Sequence, residues 1–169
     1  MDPRTPQALG YVAGLIDGEG GFHLGFSYQP KMKAFRPSVS LTISNTDKSA
    51  LEFAYEVLQV GRLYRYKHGR RKPIYVLNIG TPVEIIRVNQ LMADLLIIKK
   101  RQLELAAAFA RKMLCCPEPL NLYLEKENPK EIIELFRELY QIYKEFKKYV
   151  SRRGRNRKYS VKFPLEEDG

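Results

Sequence analysis

Two carboxylates, those of Asp17 and Glu19, stand two residues apart at the end of an apolar segment and are separated by Gly18. Carboxylate and backbone carbonyl oxygens are the ligands that a hard divalent cation such as Mg²⁺ takes in proteins. Bound Mg²⁺ can neutralise phosphate oxygens, activate a water molecule and support a leaving oxygen, which is the chemistry of phosphodiester hydrolysis. A glutamate at a helix end is more often only solvent-exposed, so the rest of the sequence must decide between these interpretations.

Positive charge is the second feature with chemical meaning. The chain of 169 residues has 29 Lys or Arg against 19 Asp or Glu, a formal net charge of +10. Much of the excess falls in two stretches, Arg62–Lys72 and Lys144–Lys162. Charge gathered in this way indicates a polyanionic partner, and nucleic acid is the first to test.

Other classes of chemistry find little support. The two cysteines are neighbours, Cys115 and Cys116, a spacing that matches no zinc site, and we interpret them as small buried residues at a helix end. No apolar stretch is long enough for a transmembrane helix, and the first residues lack the apolar core of a signal peptide. The sequence predicts an intracellular protein, in the cytoplasm or an organelle matrix, with no membrane partner and no small-molecule cofactor.

The two carboxylates lie at the end of a predicted first helix, within residues 5–20. Thr5 and Pro6 form an N-cap followed by proline at the first helical position. Gly10 and Gly14 are four residues apart and share a face of this helix, although an interior glycine costs about 1 kcal/mol relative to alanine. The pattern predicts that another element approaches this face closely.

Two β-hairpins with a helix between them are predicted over residues 22–80. Alternation of apolar and polar residues in 22–29 and 38–44 indicates the first hairpin. Asp47 is expected to cap a helix that runs to about Leu58, and the second hairpin pairs Arg62–His68 with Ile74–Ile79. The sheet should have one apolar face and one polar, basic and aromatic face.

Three further helices are predicted within residues 83–150, at Val83–Ile97, Lys100–Leu114 and Pro129–Tyr149, followed by a basic tail over residues 151–169. Residues 1–169 are expected to form a single domain. Because one face of the sheet is too polar to be buried in protein, the helices must cover the other face. The predicted fold class is α+β, with a mostly antiparallel four-stranded sheet backed by helices.

The segment Val12–Gly20 reads V-A-G-L-I-D-G-E-G and resembles the motif of the LAGLIDADG homing endonucleases. The order of the predicted elements extends the resemblance over most of the chain. It implies an αββαββα-type fold with a saddle-like DNA-binding sheet and extra C-terminal helices. Some members carry two motif copies in a longer chain, whereas this sequence has one.

A single motif copy implies a two-fold homodimer, because a helix face of small residues is self-complementary and lets two helices pack closely. The residues expected at the dimer interface are Gly10, Ala13, Gly14 and Asp17. For Asp17 the resemblance implies a structural rather than a catalytic role, as a cap on the partner or on its own helix end.

The resemblance also implies a set of catalytic residues. Glu19 matches the family's metal-binding acid, with the Gly18 carbonyl as a second ligand of Mg²⁺, for which Mn²⁺ or Ca²⁺ could substitute. Asp47 falls where members place a polar residue that positions the attacking water, although it could be a plain N-cap. Lys99 matches a lysine that stabilises charge. The alternatives are that Lys99 is only a solvated residue at a helix start, or that Lys100 is the matching lysine in a register shifted by one. Leu51 departs from relatives that carry a basic residue there.

The outward positions of the predicted sheet and the basic clusters are expected to contact double-stranded DNA, with an ordinary solvated face as the alternative. The expected contacts are His23, Gly25, Ser27, Gln29, Lys31, Ser38, Ser40, Thr42, Ser44, Arg62, Tyr64, Tyr66, His68, Arg70, Arg71, Ile74, Val76, Asn78, Arg152 and Arg153.

The function that the resemblance implies is site-specific cleavage of both DNA strands across the minor groove of a long, nearly palindromic target, in the service of intron mobility. The alternative is a non-catalytic RNA-binding maturase that keeps the fold and assists intron splicing. Retention of an acid at Glu19 favours the nuclease, because a binding protein has no need for a carboxylate that faces phosphates.

Overall fold

The computed structural model describes residues 2–116, 119–150 and 161–166. In this part of the chain the predicted α+β class is confirmed. The elements are α1 (Pro6–Glu19), β1 (Gly20–Gln29), β2 (Ala34–Asn45), α2 (Lys48–Leu58), β3 (Arg62–Tyr66), β4 (Ile74–Ile79), α3 (Pro82–Met92), α4 (Lys100–Met113), β5 (Leu122–Tyr123) and α5 (Lys130–Phe146).

The strands form one antiparallel sheet in the order β1-β2-β4-β3, and β5 adds to β2 at the end of the first hairpin. The register places His23 opposite Ser40, and Asn78 opposite both Thr42 and Arg62. Since side chains alternate between faces along a strand, these residues share one face of the sheet. The polar face predicted from the sequence is therefore present.

The helices cover the opposite face. Leu41 and Ile43 of β2 and Leu77 and Ile79 of β4 are fully buried, and so is Ile16 of α1. Burying side chains of this size stabilises a fold by about 1.5–3 kcal/mol each. One core therefore joins the motif helix to the two central strands.

Local capping fixes where the first helices begin. The Thr5 side chain accepts a hydrogen bond from the Ala8 N–H, and the Asp47 carboxylate accepts from the Ser49 N–H. Thr81 and Glu84 form a capping box at the start of α3. The caps predicted at Thr5 and Asp47 are confirmed.

The C-terminal segment differs from the predicted tail. The Phe163 ring is stacked on that of Phe26, with the ring centroids 4.3 Å apart, and only 8% of Phe163 is exposed. The rings of Phe136 and Tyr140 also pack against Phe163. Phe163 therefore belongs to the core and Leu165 packs against it, whereas the predicted DNA contacts Arg152 and Arg153 lie outside the described residues.

Other boundaries also differ from the predictions. Helix α3 ends at Met92 rather than Ile97, because the backbone turns towards α4 after it. Strand β3 ends at Tyr66, before a loop in which Gly69 has a φ of +57°. Strand β5 was not predicted, because two residues are too few to show alternation. The side chain of Cys115 is exposed rather than buried.

Within the described residues, no helix has the length and apolar character that a membrane span requires.

Candidate active site and nucleic-acid interface

The end of α1 meets the start of α4 through Asp17. Its carboxylate accepts hydrogen bonds from three successive backbone N–H groups, those of Ile97 (2.8 Å), Ile98 (3.2 Å) and Lys99 (2.9 Å). These groups lead into α4, where the helix dipole favours negative charge. Partial burial acts to raise the pKa of Asp17, but the three N–H groups outweigh it and hold that pKa below its usual value. Asp17 is therefore an ionised cap on α4.

Lys99 makes the complementary contact. Its ammonium donates to the Ile16 carbonyl at 3.1 Å and to the Gly20 carbonyl, both at the end of α1. A cation is stabilising at the C-terminal end of a helix, where the helix dipole is negative. Burial lowers the pKa of Lys99, while the carboxylates of Asp17 and Glu19 act to raise it. The two helices thus cap each other, and we call these contacts the α1–α4 clasp.

Two of the four residues predicted at the dimer interface are engaged within their own chain. All three hydrogen-bond donors to the Asp17 carboxylate belong to its own chain. Ala13 is only 2% exposed and packs in the core of its own chain. The Ala13 side chain is therefore not displayed on the open face of α1, whereas the half-exposed Asp17 carboxylate is occupied by α4.

Gly10, Gly14 and Gly18 do lie on that open face. All three are exposed, and a Cβ added at any of them would meet nothing within 4 Å. The spacing of four residues places them in one row along the helix. The exposed ring of Tyr11 flanks this row and packs edge-on against Phe53 of α2. One face of the α1 backbone is therefore accessible from outside the chain between Gly10 and Gly18.

Glu19 is the last residue of α1, and its surroundings differ from those of Asp17. Its side chain is exposed, and within the described residues its carboxylate accepts no hydrogen bond and forms no ion pair. The Gly18 carbonyl lies in the same last turn, where carbonyls have no intrahelical partner. This helix end therefore presents oxygen ligands together, one of them charged.

These donors suit a hard divalent cation, which takes carboxylate, carbonyl and water oxygens. No group of three or more His, Cys, Asp or Glu side chains that could hold a metal occurs in the described part of the chain. At the end of α1, Glu19 and the Gly18 carbonyl would supply only part of the coordination shell of such a cation. A second copy of the same helix end would double the number of carboxylates.

Asp47 is occupied as a helix cap. Its carboxylate accepts from the Ser49 N–H at 2.8 Å and from the Ser49 hydroxyl at 2.6 Å, and these bonds lower its pKa. The Asp47 N–H donates to the Asn45 side chain at 2.9 Å. Leu51, one turn further along α2, is fully buried, so it contributes to the core.

The predicted DNA-contact residues of β1 to β4 lie on the polar face of the sheet. The register brings Ser44 opposite Val76, which is in turn opposite Tyr64, and it brings Ile74 opposite Tyr66. The rings of Tyr64 and Tyr66 are 6.3 Å apart and both exposed. The loop residues Lys31, His68, Arg70 and Arg71 are exposed at the hairpin ends.

Gly25 is an exception on this face. It is buried, and a Cβ built on it would lie 3.1 Å from Nε2 of His23, so the imidazole covers it. Gly25 therefore has no exposed surface for the predicted DNA contact. Partial burial and then the charge of Lys147 lower the pKa of His23 below its usual value.

Glu84 holds the base of the second hairpin. One carboxylate oxygen accepts from the Gly61 N–H at 3.0 Å, and the other accepts from the N–H groups of Gly80 and Thr81 at 3.3 and 3.2 Å. These groups stand just before β3 and just after β4. Glu84 thereby fixes the hairpin that carries Arg62 and the tyrosines.

Arg36 also lies on the polar face, opposite Ser27, and was missed by the sequence analysis. Its Nε donates to Oδ1 of Asn121 at 3.2 Å. The signal for Arg36 was present, because extending the alternation of β2 by two residues before Ser38 reaches it. Nothing in the local sequence marks Asn121, which arrives from a segment 85 positions away.

Among solved structures, the chain is similar to the archaeal intron-encoded homing endonuclease I-Vdi141I complexed with DNA, with a TM-score of 0.68, 24% identity and coverage of 88% of this chain and 87% of that one. It is similar to I-CvuI in complex with an I-CreI target in the presence of 2 mM Mg, with uncleaved DNA, at a TM-score of 0.69, 12% identity and coverage of 88% and 85%. The LAGLIDADG homing endonuclease I-GzeII, in complex with a DNA target, gives a TM-score of 0.60 and 19% identity, with 79% of this chain matching 43% of that one.

No protein-family model and no curated protein matches the sequence. The structural similarities nevertheless agree with the motif in Val12–Gly20 and with the order of the elements. The chain has the fold of the LAGLIDADG homing endonucleases, as the sequence resemblance implied.

Proposed function

We propose that this chain is a LAGLIDADG homing endonuclease that acts as a homodimer and cuts both strands of a specific double-stranded DNA site. The observation that carries the proposal is Glu19, an exposed carboxylate without a hydrogen-bond partner in the described chain, at the motif position that resembles the family's metal-binding acid. The fold supports it, because the similar structures are homing endonucleases bound to DNA.

Glu19 and the Gly18 carbonyl are the residues that would hold Mg²⁺. When bound, the cation supplies charge neutralisation at the scissile phosphate and a more acidic water. Lys99 contributes positive charge beside Glu19, where negative charge develops during phosphoryl transfer. In this proposal Asp47 orients the attacking water with the part of its carboxylate that faces away from Ser49. The described contacts of Lys99 and Asp47 are compatible with these roles.

The exposed row of Gly10, Gly14 and Gly18 is the proposed dimer interface. Small residues let two helix backbones approach closely, and a two-fold axis through this row would bring two Glu19 carboxylates together. Each carboxylate would then serve one DNA strand, across the minor groove. The two polar faces would extend along a long, nearly palindromic target, consistent with a role in intron mobility.

The decisive experiment starts from a pool of randomised duplexes. The purified chain is allowed to select binding sequences in EDTA, so that nothing is cut, and an enriched sequence is placed in a supercoiled plasmid. We expect linearisation when Mg²⁺ is added, no linearisation in EDTA, and none with Glu19→Gln. Selection of a sequence without linearisation by the native chain would refute the nuclease. Tight binding of intron RNA in its place would favour the maturase.

A second experiment addresses the dimer. Leucine in place of Gly14 fits the single chain, because a Cβ there meets nothing within 4 Å, but it would keep two α1 helices apart. We expect Gly14→Leu to sediment as a monomer, to keep the helix content of the native chain by circular dichroism, and to lose linearisation. A cleaving monomer would contradict the homodimer.

A further inference from the structure

Arg36 occupies a distinctive place on the polar face of the sheet. It lies on β2 opposite Ser27, next to the end of the hairpin, and its side chain is exposed. The Ser27 hydroxyl donates to the Arg36 carbonyl at 3.4 Å, and the Gln29 amide donates to the Ser27 hydroxyl at 3.1 Å. Arg36 therefore stands in a row of polar groups at the outer end of the sheet.

The side chain of Arg36 is held at one atom. Its Nε donates to Oδ1 of Asn121 at 3.2 Å, and Asn121 is only 5% exposed. This bond fixes the orientation of the amide, because only its oxygen can accept. The Asn121 Nδ2 is buried and has no hydrogen-bond partner among the described residues. An unpartnered buried donor costs stability, so an apolar residue would serve the fold better at this position.

Asn121 is itself fixed by the segment around β5. Leu122 pairs with Phe35 and Tyr123 with Ala34 in the sheet. Asn128 closes the other side, since its side chain accepts from the Tyr123 N–H and donates to the Tyr123 carbonyl, both at 2.8 Å. The acceptor that holds Arg36 is thus part of a rigid frame.

The remaining guanidinium nitrogens of Arg36 are available. Within the described residues, neither Nη atom has a hydrogen bond or an ion pair. Glu125, which follows β5, is bound to the Lys33 ammonium at 2.7 Å. Because the partner of Nε is a neutral amide, the guanidinium of Arg36 keeps its full positive charge. A carboxylate in the same place would neutralise that charge.

We propose that Arg36 reads a guanine in the target DNA through its two Nη groups, and that Asn121 is a positioning residue that orients the guanidinium for this contact. Arginine binds guanine O6 and N7 through two parallel N–H groups, which requires a fixed plane. Anchoring Nε sets that plane before DNA arrives and lowers the entropy lost on binding. The inference rests on the proposed function, because it assumes that the polar face meets double-stranded DNA.

The test uses the full chain and a randomised duplex pool, with base preferences measured at every position of the selected site. The native chain should prefer guanine at two symmetry-related positions by about 5- to 150-fold over other bases. Arg36→Ala should abolish that preference and leave the others unchanged. Arg87→Ala removes an exposed arginine from α3, on the helical side, and should change no base preference.

Asn121 is tested by two variants. Asn121→Ala should relax the same two positions while binding to random-sequence DNA stays the same. Asn121→Asp keeps an acceptor for Nε and should retain the guanine preference, with weaker overall binding because it neutralises charge. Thermal unfolding of each variant shows whether a lost guanine preference comes from loss of folding. If Asn121→Ala does not fold, the results for Arg36→Ala and Asn121→Asp test the proposal.

The outcomes are distinguishable. If Arg36→Ala selects the native sequence with every preference intact, the inference is wrong and the proposed function stands. If folded Asn121→Ala keeps a sharp guanine preference, or Asn121→Asp loses it, the positioning role is wrong. If the native chain selects no sequence at all, the proposed function and this inference fall together.

Discussion

Charged side chains at the α1–α4 clasp are matched by backbone groups of their own chain, whereas within the described residues the arginines on the polar face of the sheet are not. At the clasp, Asp17 and Lys99 each meet backbone groups of opposite partial charge, so both charges are matched within the chain. On the polar face, Arg62 and the arginines of the neighbouring loop form no ion pair within the described residues. Glu19 lies beside the clasp but is not part of it.

The comparison separates groups that stabilise the fold from groups that are available to a ligand. A charge that is matched by fixed backbone dipoles stabilises the chain and is costly to remove. An exposed unmatched charge contributes little to stability, and the positions where such charges gather are candidates for binding. Substitutions should therefore affect cleavage, stability and DNA affinity to different extents in the two regions.

The largest expected effect is at Glu19. Glu19→Gln removes the unmatched carboxylate and should lower the cleavage rate by more than about 10³-fold, the upper end for loss of one electrostatic group. DNA binding should be unchanged or tighter, because a charge that repels phosphate is gone. Plasmid linearisation and a gel-shift titration measure the two quantities. Full cleavage by Glu19→Gln would show that the unmatched carboxylate of Glu19 is not needed for catalysis.

Lys99 should show a smaller loss. Lys99→Met keeps the length of the side chain but removes the ammonium beside Glu19, and we expect cleavage to fall by about 10²-fold. The unfolding temperature should also drop, because the Ile16 and Gly20 carbonyls lose their donor. Lys100→Met is the matched control and should change neither quantity. Equal effects of the two variants would mean that the clasp has no special role.

Asp17 should affect stability. Asp17→Ala removes the acceptor for three N–H groups and should lower the free energy of unfolding by about 0.5–2 kcal/mol, the range for loss of a helix cap. Because its pKa in the folded chain lies below its usual value, the Asp17 contribution is fully present above that usual value and is lost as the pH falls through the folded pKa. Urea unfolding of the native chain and of Asp17→Ala across this pH range measures the difference in their free energies of unfolding. Glu19→Gln loses no hydrogen bond and should show no such difference.

The smallest expected effect is on the polar face. Arg71→Ala removes one exposed cation from the β3–β4 loop, and DNA affinity should fall only a few-fold. If Arg71 contacts a phosphate, the slope of log affinity against log salt should decrease by about one for each subunit. Binding titrations at several salt concentrations test this, with Arg87→Ala on the helical side as control. An unchanged slope would place Arg71 away from the DNA.

Much of the fold was predictable because it depends on neighbours in sequence. Thr5 and Asp47 cap helices through N–H groups two or three residues away. The alternation in residues 22–29 and 38–44 indicated the two faces of the sheet. The end of α3 was predicted too late, because apolar residues continue to Ile98 although the helix stops at Met92.

The candidate site was only partly predictable. The motif distinguished Glu19 from Asp17 by resemblance alone, since both are acids at the same helix end. The covering of Gly25 by His23 and the burial of Ala13 depend on packing that the local pattern does not show.

The sequence by itself determined the helix and strand periods, the glycine row of α1 and the excess of positive charge, because each is a property of spacing or composition. Only the tertiary structure decided which charges remain available. Asp17 and Ile97 are 80 positions apart, and Arg36 and Asn121 are 85 apart. Contacts at such separations arise when the core closes, and they leave Glu19 exposed while they engage Asp17 and Lys99.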